Sequence, residues 1–224
     1  MRVWLVAVAM VLGLAWAAGA DDIAGRLESY LRARDAGAVG EVRGQVWEDP
    51  ARPGGAPVPA PSVPVLLLPY SAEFEAQLDA AKTGLRESVK GVSEAVDRVE
   101  AARAAYESAV IFAGGGELIR GDVSDDQGRV RLGAIPGGDW LLLAWKEHKR
   151  STKKFRIPAP EARKYPDVPL SVEYSTVSYW RIRLTVRPGE TTEATLIDRN
   201  VWMTAIKERR GSPERPPAAA PQRR

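Results

Sequence analysis

The chain has no cysteine and a single histidine among its 224 residues. Without cysteine there is no disulfide framework, no thiol nucleophile and no zinc–cysteine site. With His148 as the sole imidazole, two-histidine metal sites are excluded within one chain, and a Ser-His-Asp triad has only that residue to build on. Charge of one sign is also scarce. Lysine and arginine number 32 against 29 acidic residues, a formal +3. Without Arg2 the balance is 31 to 29. Residues 209–224 alone hold five arginines against one glutamate, which leaves the rest near −2. Basic charge gathered in a tail is not the footprint of a nucleic-acid-binding face, so nucleic acid is not an expected partner.

What is present begins with a secretory pattern. Met1-Arg2 is a short basic start, Val3 to Ala18 is almost unbroken apolar sequence, and Ala18-Gly19-Ala20 supplies small residues at the positions signal peptidase reads. Sixteen apolar residues fall short of the roughly twenty a membrane span needs. Residues 1–20 are therefore expected to be a signal peptide, with no membrane span after cleavage and a secreted, periplasmic or extracellular destination. The competing expectation is an uncleaved anchor.

The mature chain opens with an amphipathic helix, expected over 21–37, with Ile23, Leu27, Tyr30 and Leu31 on one stripe and Gly37 ending it. Glu41 to Glu48 alternates as a strand. Asp49 to Pro64, with six prolines, is a loop, and Val63 to Leu68 is a strand apolar on both faces. From Ala72 to Ile111 proline disappears and the period becomes helical. The heptad step Leu78, Leu85, Val92, Val99, Tyr106 allows one long helix. A single helix of forty residues would extend about 60 Å and leave the chain far from its next strand. The reading preferred is a hairpin turning near Lys90-Gly91-Val92, with Ser93 capping the second arm.

Beyond Gly114-Gly115-Gly116, segments 117–124 and 129–132 read as a β-hairpin around Asp125-Asp126-Gln127-Gly128. Pro136-Gly137-Gly138 turns into an apolar strand, Trp140 to Trp145. Lys146 to Pro169 reads as an irregular basic loop. In the next strand Trp180, Ile182, Leu184 and Val186 point one way and Arg181, Arg183, Thr185 and Arg187 the other. A turn at 187–190 leads to a strand at 191–197, a last strand is expected at 201–206, and residues 208–224 are expected to be a disordered Pro/Arg-rich tail.

Four segments together resemble the carboxypeptidase regulatory-like domains, a transthyretin-like group of small β-sandwiches. They are Glu41-Val42-Arg43-Gly44-Gln45-Val46, Val63-Pro64-Val65-Leu66-Leu67-Leu68, the stretch Gly121 to Leu132 with its Asp126-Gln127-Gly128-Arg129-Val130, and Ile135-Pro136-Gly137-Gly138-Asp139-Trp140. The resemblance covers residues 41–70 and 117–206 and lies in turn-and-strand signatures, which specify fold better than function. It implies a mainly β, Ig-like antiparallel sandwich over 41–207, interrupted by a helical insertion at 72–111 that the family pattern lacks. The zinc catalytic domain such modules accompany needs two histidines. Transthyretin-like hydroxyisourate hydrolases use several, and Arg209-Arg210-Gly211-Ser212 matches only part of their terminal motif.

The expected function is a non-enzymatic binding or structural module of a bacterial-type cell envelope, with the helical insertion as its interaction element. Leu78, Leu85, Val99 and Tyr106 are the candidate partner-binding residues, for an envelope protein or a second copy of the chain. Lys146, Lys149, Arg150, Lys153, Lys154 and Arg156 are candidate anion-binding residues, and a polysaccharide is a further expected partner. Two alternatives stand beside this reading. One is a carbohydrate-binding module, which needs at least three of Trp47, Trp140, Trp145, Trp180 and Trp202 exposed in one plane. The other is a hydrolase built on convergent carboxylates such as Asp122 and Asp126. Those carboxylates read more simply as a turn than as a calcium loop, because the glycine falls one place late and no closing glutamate follows. No catalytic residue, metal or cofactor is expected. The export reading predicts a mature chain that begins at Asp21 on N-terminal sequencing of the secreted protein; an intact Met1 would identify an anchor instead.

Overall fold

The computed structural model describes residues 23–50, 55–82, 89–150 and 172–210. The expected signal peptide at 1–20, the tail beyond Arg210, and Leu85, Lys153, Lys154 and Arg156 lie outside them. Helix α1 covers 23–35. It is followed by β1 (Val39–Glu48), β2 (Val58–Pro59), β3 (Pro64–Pro69), α2 (Ala72–Ala81), α3 (Val89–Phe112), β4 (Arg120–Val123), β5 (Arg129–Pro136), β6 (Gly138–Arg150), β7 (Val172–Val186), β8 (Thr191–Leu196) and β9 (Met203–Arg210).

The strands form an Ig-like sandwich of two sheets. In the smaller, β1 lies between β5 and β8, with the short β2 paired to its end. The larger has the order β4-β3-β6-β7-β9. Among the described residues every pairing is antiparallel except one: β8 runs parallel to β1, from Glu41↔Thr191 to Val46↔Leu196. The antiparallel expectation thus holds for the architecture but not for this pair. The reason is that the 187–190 turn carries the chain from β7, in one sheet, to β8, in the other, so β8 is free to pair with a strand of the same direction.

The same logic corrects the hairpin expected around Asp125 to Gly128. β4 pairs with β3 and β5 with β1, so this turn crosses between the sheets and its two strands are not ladder partners. The turn itself is tightly built. Gly128 has φ +71°, and a Cβ there would lie 2.3 Å from the Val46 carbonyl oxygen. The backbone N–H of Val46 donates to the Gly128 carbonyl at 2.8 Å, tying the turn to β1.

The core lies between the sheets. On one face of the larger sheet, Val65 and Leu67 of β3, Trp140, Leu142 and Ala144 of β6 and Trp180, Leu184 and Val186 of β7 are buried. Val42, Val46, Val130, Leu132, Ile135, Ala194 and Leu196 meet them from the smaller sheet. Helix α1 plugs one end. Tyr30 packs edge-on to Trp140, with ring centroids 5.0 Å apart, and its hydroxyl donates to the Asp139 carbonyl.

The opposite face of the larger sheet is also apolar, with Leu68, Leu141, Leu143 and Tyr179 buried on it. The helical hairpin covers it. Phe74 of α2 stacks on Tyr106 of α3 at 4.2 Å and 7°. In a single straight helix these residues would stand nearly 50 Å apart, at about 1.5 Å per residue, so the hairpin reading is the right one. The expected turn residues Lys90, Gly91, Val92 and Ser93 lie instead inside α3, and α2 ends at Ala81 with Lys82 as its C-cap. Ser71, not a residue of the second arm, is the cap the structure shows, its hydroxyl accepting from the Phe74 N–H.

The register on β7 gives a direct test. Leu184→Ala should destabilise by about 2–5 kcal/mol, through lost transfer energy and a cavity. Arg183→Ala, on the other face of the strand but itself exposed, should cost much less. Equal, small losses in chemical denaturation would show that the faces are assigned wrongly.

Candidate functional site

Two regions were singled out by the sequence, the helical insertion and the basic segment after Trp145. The structure treats them differently.

In the insertion, Leu78, Val99 and Tyr106 are buried within the chain, at 0%, 3% and 7% exposure. They are thus closed to a partner, because the stripe that the heptad spacing marks is the one α2 and α3 turn toward each other and the sheet. Polar contacts fix the hairpin in place. Arg181 of β7 reaches Asp79 at 3.0 Å and Glu75 at 3.5 Å on α2. Its guanidinium also lies 4.8 Å from the Trp202 ring centroid, with Lys82 at 4.4 Å from the same ring. On α3, Arg103 stands over Trp145 and Glu100 pairs with Lys207 of β9 at 3.0 Å. The Tyr106 hydroxyl donates to the Pro69 carbonyl at 2.8 Å, and burial pushes its pKa up. At the N-terminus of α2, the Ser71 hydroxyl and the Arg26 guanidinium hold the Glu73 carboxyl down to about 2.

The basic segment is a strand and not an irregular loop through Arg150. β3 pairs with β6 only as far as Val65↔Ala144, yet β6 continues alongside β7 to Arg150↔Tyr174. β7 in turn carries β9 as far as Val172↔Arg210. A three-stranded ribbon thus runs past the end of β3. Lys146 pairs with Glu48 of β1, and His148 Nδ1 lies 3.7 Å from the same carboxylate. Lys149 and Arg150 hold the last two positions of β6. Arg209 and Arg210, assigned to a disordered tail by their proline-rich surroundings, hold the last two positions of β9. The signal that could have placed them is the alternation Met203, Ala205, Lys207 against Thr204, Ile206, Glu208, which continues the strand past Ile206.

The remaining candidates are used structurally. None of the five tryptophans among the described residues is exposed: Trp140 and Trp180 are core, at 0% and 1%, and Trp47, Trp145 and Trp202 are half-buried. A coplanar platform of exposed indoles is therefore not formed. Asp125 accepts from the Gln127 and Arg129 N–H groups at 2.8 and 2.9 Å and from Arg129 Nε at 2.8 Å. Those bonds, the backbone ones first, hold its carboxyl below the usual range. Asp122 accepts from the Val123 and Arg131 N–H groups. Among the described residues no group of three or more His, Asp or Glu is placed to hold a metal ion, and no helix is long and apolar enough to cross a membrane.

No protein-family model matches the chain, and no curated protein matches it in sequence. Solved structures share its shape in part. A candidate carbohydrate-binding protein from Pseudomonas aeruginosa aligns over 71% of this chain and 88% of its own, at 17% identity and a TM-score of 0.39. A minor pilin from Streptococcus agalactiae aligns over 80% of this chain and 48% of its own, at 11% identity and 0.30. The pilus backbone protein of Streptococcus pneumoniae aligns over 69% and 40%, at 14% identity and 0.23. Likeness at this level carries no inference about activity.

The buried tyrosines make the stability of the fold sensitive to alkaline pH. Burial raises the pKa of both Tyr106 and Tyr179 above the ordinary 10.0. Their neutral forms are favoured when folded, so this contribution is complete below about pH 10 and is lost as pH climbs toward the folded values. Melting temperature should fall above about pH 10, and Tyr106→Phe should make that fall shallower. An unchanged alkaline slope in the variant would contradict the burial of this hydroxyl.

Proposed function

We propose that the chain is a secreted, non-enzymatic binding module of a cell envelope, periplasmic or extracellular, built on a sandwich of the carboxypeptidase regulatory-like, transthyretin-like kind. The observation that carries this reading is the β6–β7–β9 ribbon. It projects past the end of β3 and bears Lys146, Lys149 and Arg150, while Leu78, Val99, Tyr106, Trp140 and Trp180 are buried and Asp122 and Asp125 bond within their turn. The glycine-centred β1, the Asp-rich intersheet turn and the Pro136-Gly137-Gly138 entry to β6 support the family resemblance. In this reading the ligand is an anionic component of the envelope. The basic segment, with Lys153, Lys154 and Arg156 following it in sequence, recognises that component by charge.

A second reading is favoured by one observation. At the end of α3, Ile111 is 55% and Phe112 91% exposed, large apolar side chains offered to solvent. The insertion would then dock to an envelope protein or a second copy through this end, not through Leu78, Val99 and Tyr106.

Co-sedimentation of the purified mature chain with washed insoluble envelope material separates the two. Binding that is strong at low salt and lost at high salt is expected, because exposed charges are screened over about 10 Å at 0.1 M. Binding indifferent to salt but abolished by Phe112→Asp would favour the second reading. No binding at either salt would contradict both.

A further inference from the structure

We propose that the end of α3 is a lipid-contacting tip, which seats the folded module on a bilayer surface while residues 1–20 remain on the chain. This rests on the second reading above, that this end docks, and deepens it by making the occupant a lipid surface and not a protein.

The tip can leave water at little polar cost. Ile111 and Phe112 are adjacent and stand 55% and 91% exposed, whereas the other exposed large apolar side chains among the described residues, Val58 and Val123, lie apart on β2 and β4. Residues 108–116 read Ser-Ala-Val-Ile-Phe-Ala-Gly-Gly-Gly and carry no charge, so no ion has to be desolvated with them. Glu107, the charged residue just before this stretch, is paired with Arg103 at 2.6 Å. The Gly114 and Gly115 N–H groups donate to the Ile111 and Val110 carbonyls at 3.0 and 2.9 Å, which satisfies acceptors that a helix end otherwise leaves open. Two such side chains offer on the order of 300 Å². A standard protein interface covers roughly 800 Å² per partner. A second copy or an envelope protein would need surface that the tip does not have, while a bilayer needs no matching surface.

The place where the chain enters the fold points the same way. Helix α1 crosses the end of the hairpin. Its Arg34 pairs with Glu117, and its Arg26 meets Glu73 of α2 at 2.7 Å. Between them Leu27 lies against Gly115, where a Cβ would come 2.7 Å from Leu27 Cδ1 and 3.2 Å from Val110 Cγ1. From Arg34 back to Leu27, α1 thus runs from Glu117 toward the last turn of α3, and Ile23 is one further turn, about 6 Å, along the same line. The start of α1 is therefore at the end of the molecule that carries Ile111 and Phe112. The apolar run Val3 to Ala18 stops five residues before Ile23, a reach of at most about 18 Å. That run is short for a membrane span, and a marginal apolar attachment becomes stable when a second one acts beside it. The tip of α3 is placed to be the second.

The test uses the full chain, made by cell-free synthesis without signal peptidase in the presence of phosphatidylcholine vesicles, with and without doxyl-labelled acyl chains. The chain has no cysteine, so a single one can carry an environment-sensitive dye. Gly116→Cys places it beside Ile111, whose Cγ1 would be 3.7 Å from the new Cβ, and Gly133→Cys on β5, with nothing within 4 Å, is the control. The proposal expects the doxyl lipid to quench the dye at position 116 and not at 133. Adding Phe112→Asp should remove the quenching while the chain still floats with the vesicles; the side chain is exposed, so the circular dichroism should not change. Residues 21–224 alone should bind the vesicles at least about tenfold more weakly, because one shallow apolar contact gives only marginal attachment. Absence of quenching at 116, equal quenching at both positions, quenching that survives Phe112→Asp, or no association of the full chain with vesicles would each overturn the lipid contact. Equal binding by residues 21–224 would overturn the part given to residues 1–20. If the lipid contact fails but Phe112→Asp still abolishes salt-indifferent sedimentation with envelope material, the second reading stands with a protein as occupant; if that sedimentation is also unaffected, the second reading falls with it.

Discussion

The larger sheet cannot face water on either side, and the rest of the molecule follows from that. Along β6, Trp140, Leu141, Leu142, Leu143 and Ala144 are consecutive and all buried, which requires cover above and below. β3 contributes Val65, Leu67 and Leu68 to the same condition. The smaller sheet covers one face. An isolated sandwich would leave the other open, with an apolar area that in water invites association. The helical hairpin is inserted directly after β3, beside the surface it has to cover. Arg181, Arg103 and Lys207 tolerate that cover because Glu75, Asp79, Glu100 and the Trp145 and Trp202 rings meet them there.

That arrangement redistributes function. An insertion on a sandwich is commonly where recognition resides, since loops are carried by a rigid scaffold. Here the two helices instead complete the core, and their most apolar stripe faces inward. Past the end of β3 the ribbon loses one neighbour but not all its cover, since Arg103 and Glu100 of α3 still reach Trp145 and Lys207, while the end of α3 exposes Ile111 and Phe112. The outer face of the smaller sheet is solvated in the ordinary way. Arg43 and Arg131 converge on Glu41, and the hydrogen bonds from these guanidiniums, Arg43 first, hold its carboxyl below the usual range.

The sequence was most informative where a face, and not a partner, had to be identified. Alternation on Trp180, Leu184 and Val186 and the unbroken apolar run of β6 each state a burial pattern, and the structure has those patterns. Partners are another matter. Nothing in the Asp125 to Gly128 turn distinguishes a hairpin from a crossing between sheets, because both need the same tight geometry and the same glycine. Lys146-Glu147-His148-Lys149-Arg150 has no apolar alternation, so a strand held there by its ladder to β7 reads as a loop. Arg209 and Arg210 were hidden by the prolines that follow them. In the insertion, Gly91 looks like a helix stop, yet a glycine inside a packed helix costs only about 1 kcal/mol relative to alanine, which the contacts of α3 can offset. Leu78, Val99 and Tyr106 of the candidate partner stripe are buried for a related reason: heptad spacing marks a face that needs cover without saying that the cover lies in the same chain.

The most direct test of this account is to replace residues 72–111 with a short Gly-Ser linker and follow unfolding of the product by circular dichroism and denaturant titration. If the hairpin completes the core of the larger sheet, the shortened chain should lack a cooperative transition and should aggregate or expose apolar surface to a hydrophobic dye. A soluble, monomeric product that unfolds cooperatively, with the sandwich intact, would contradict the account and return the insertion to the role of a free recognition arm.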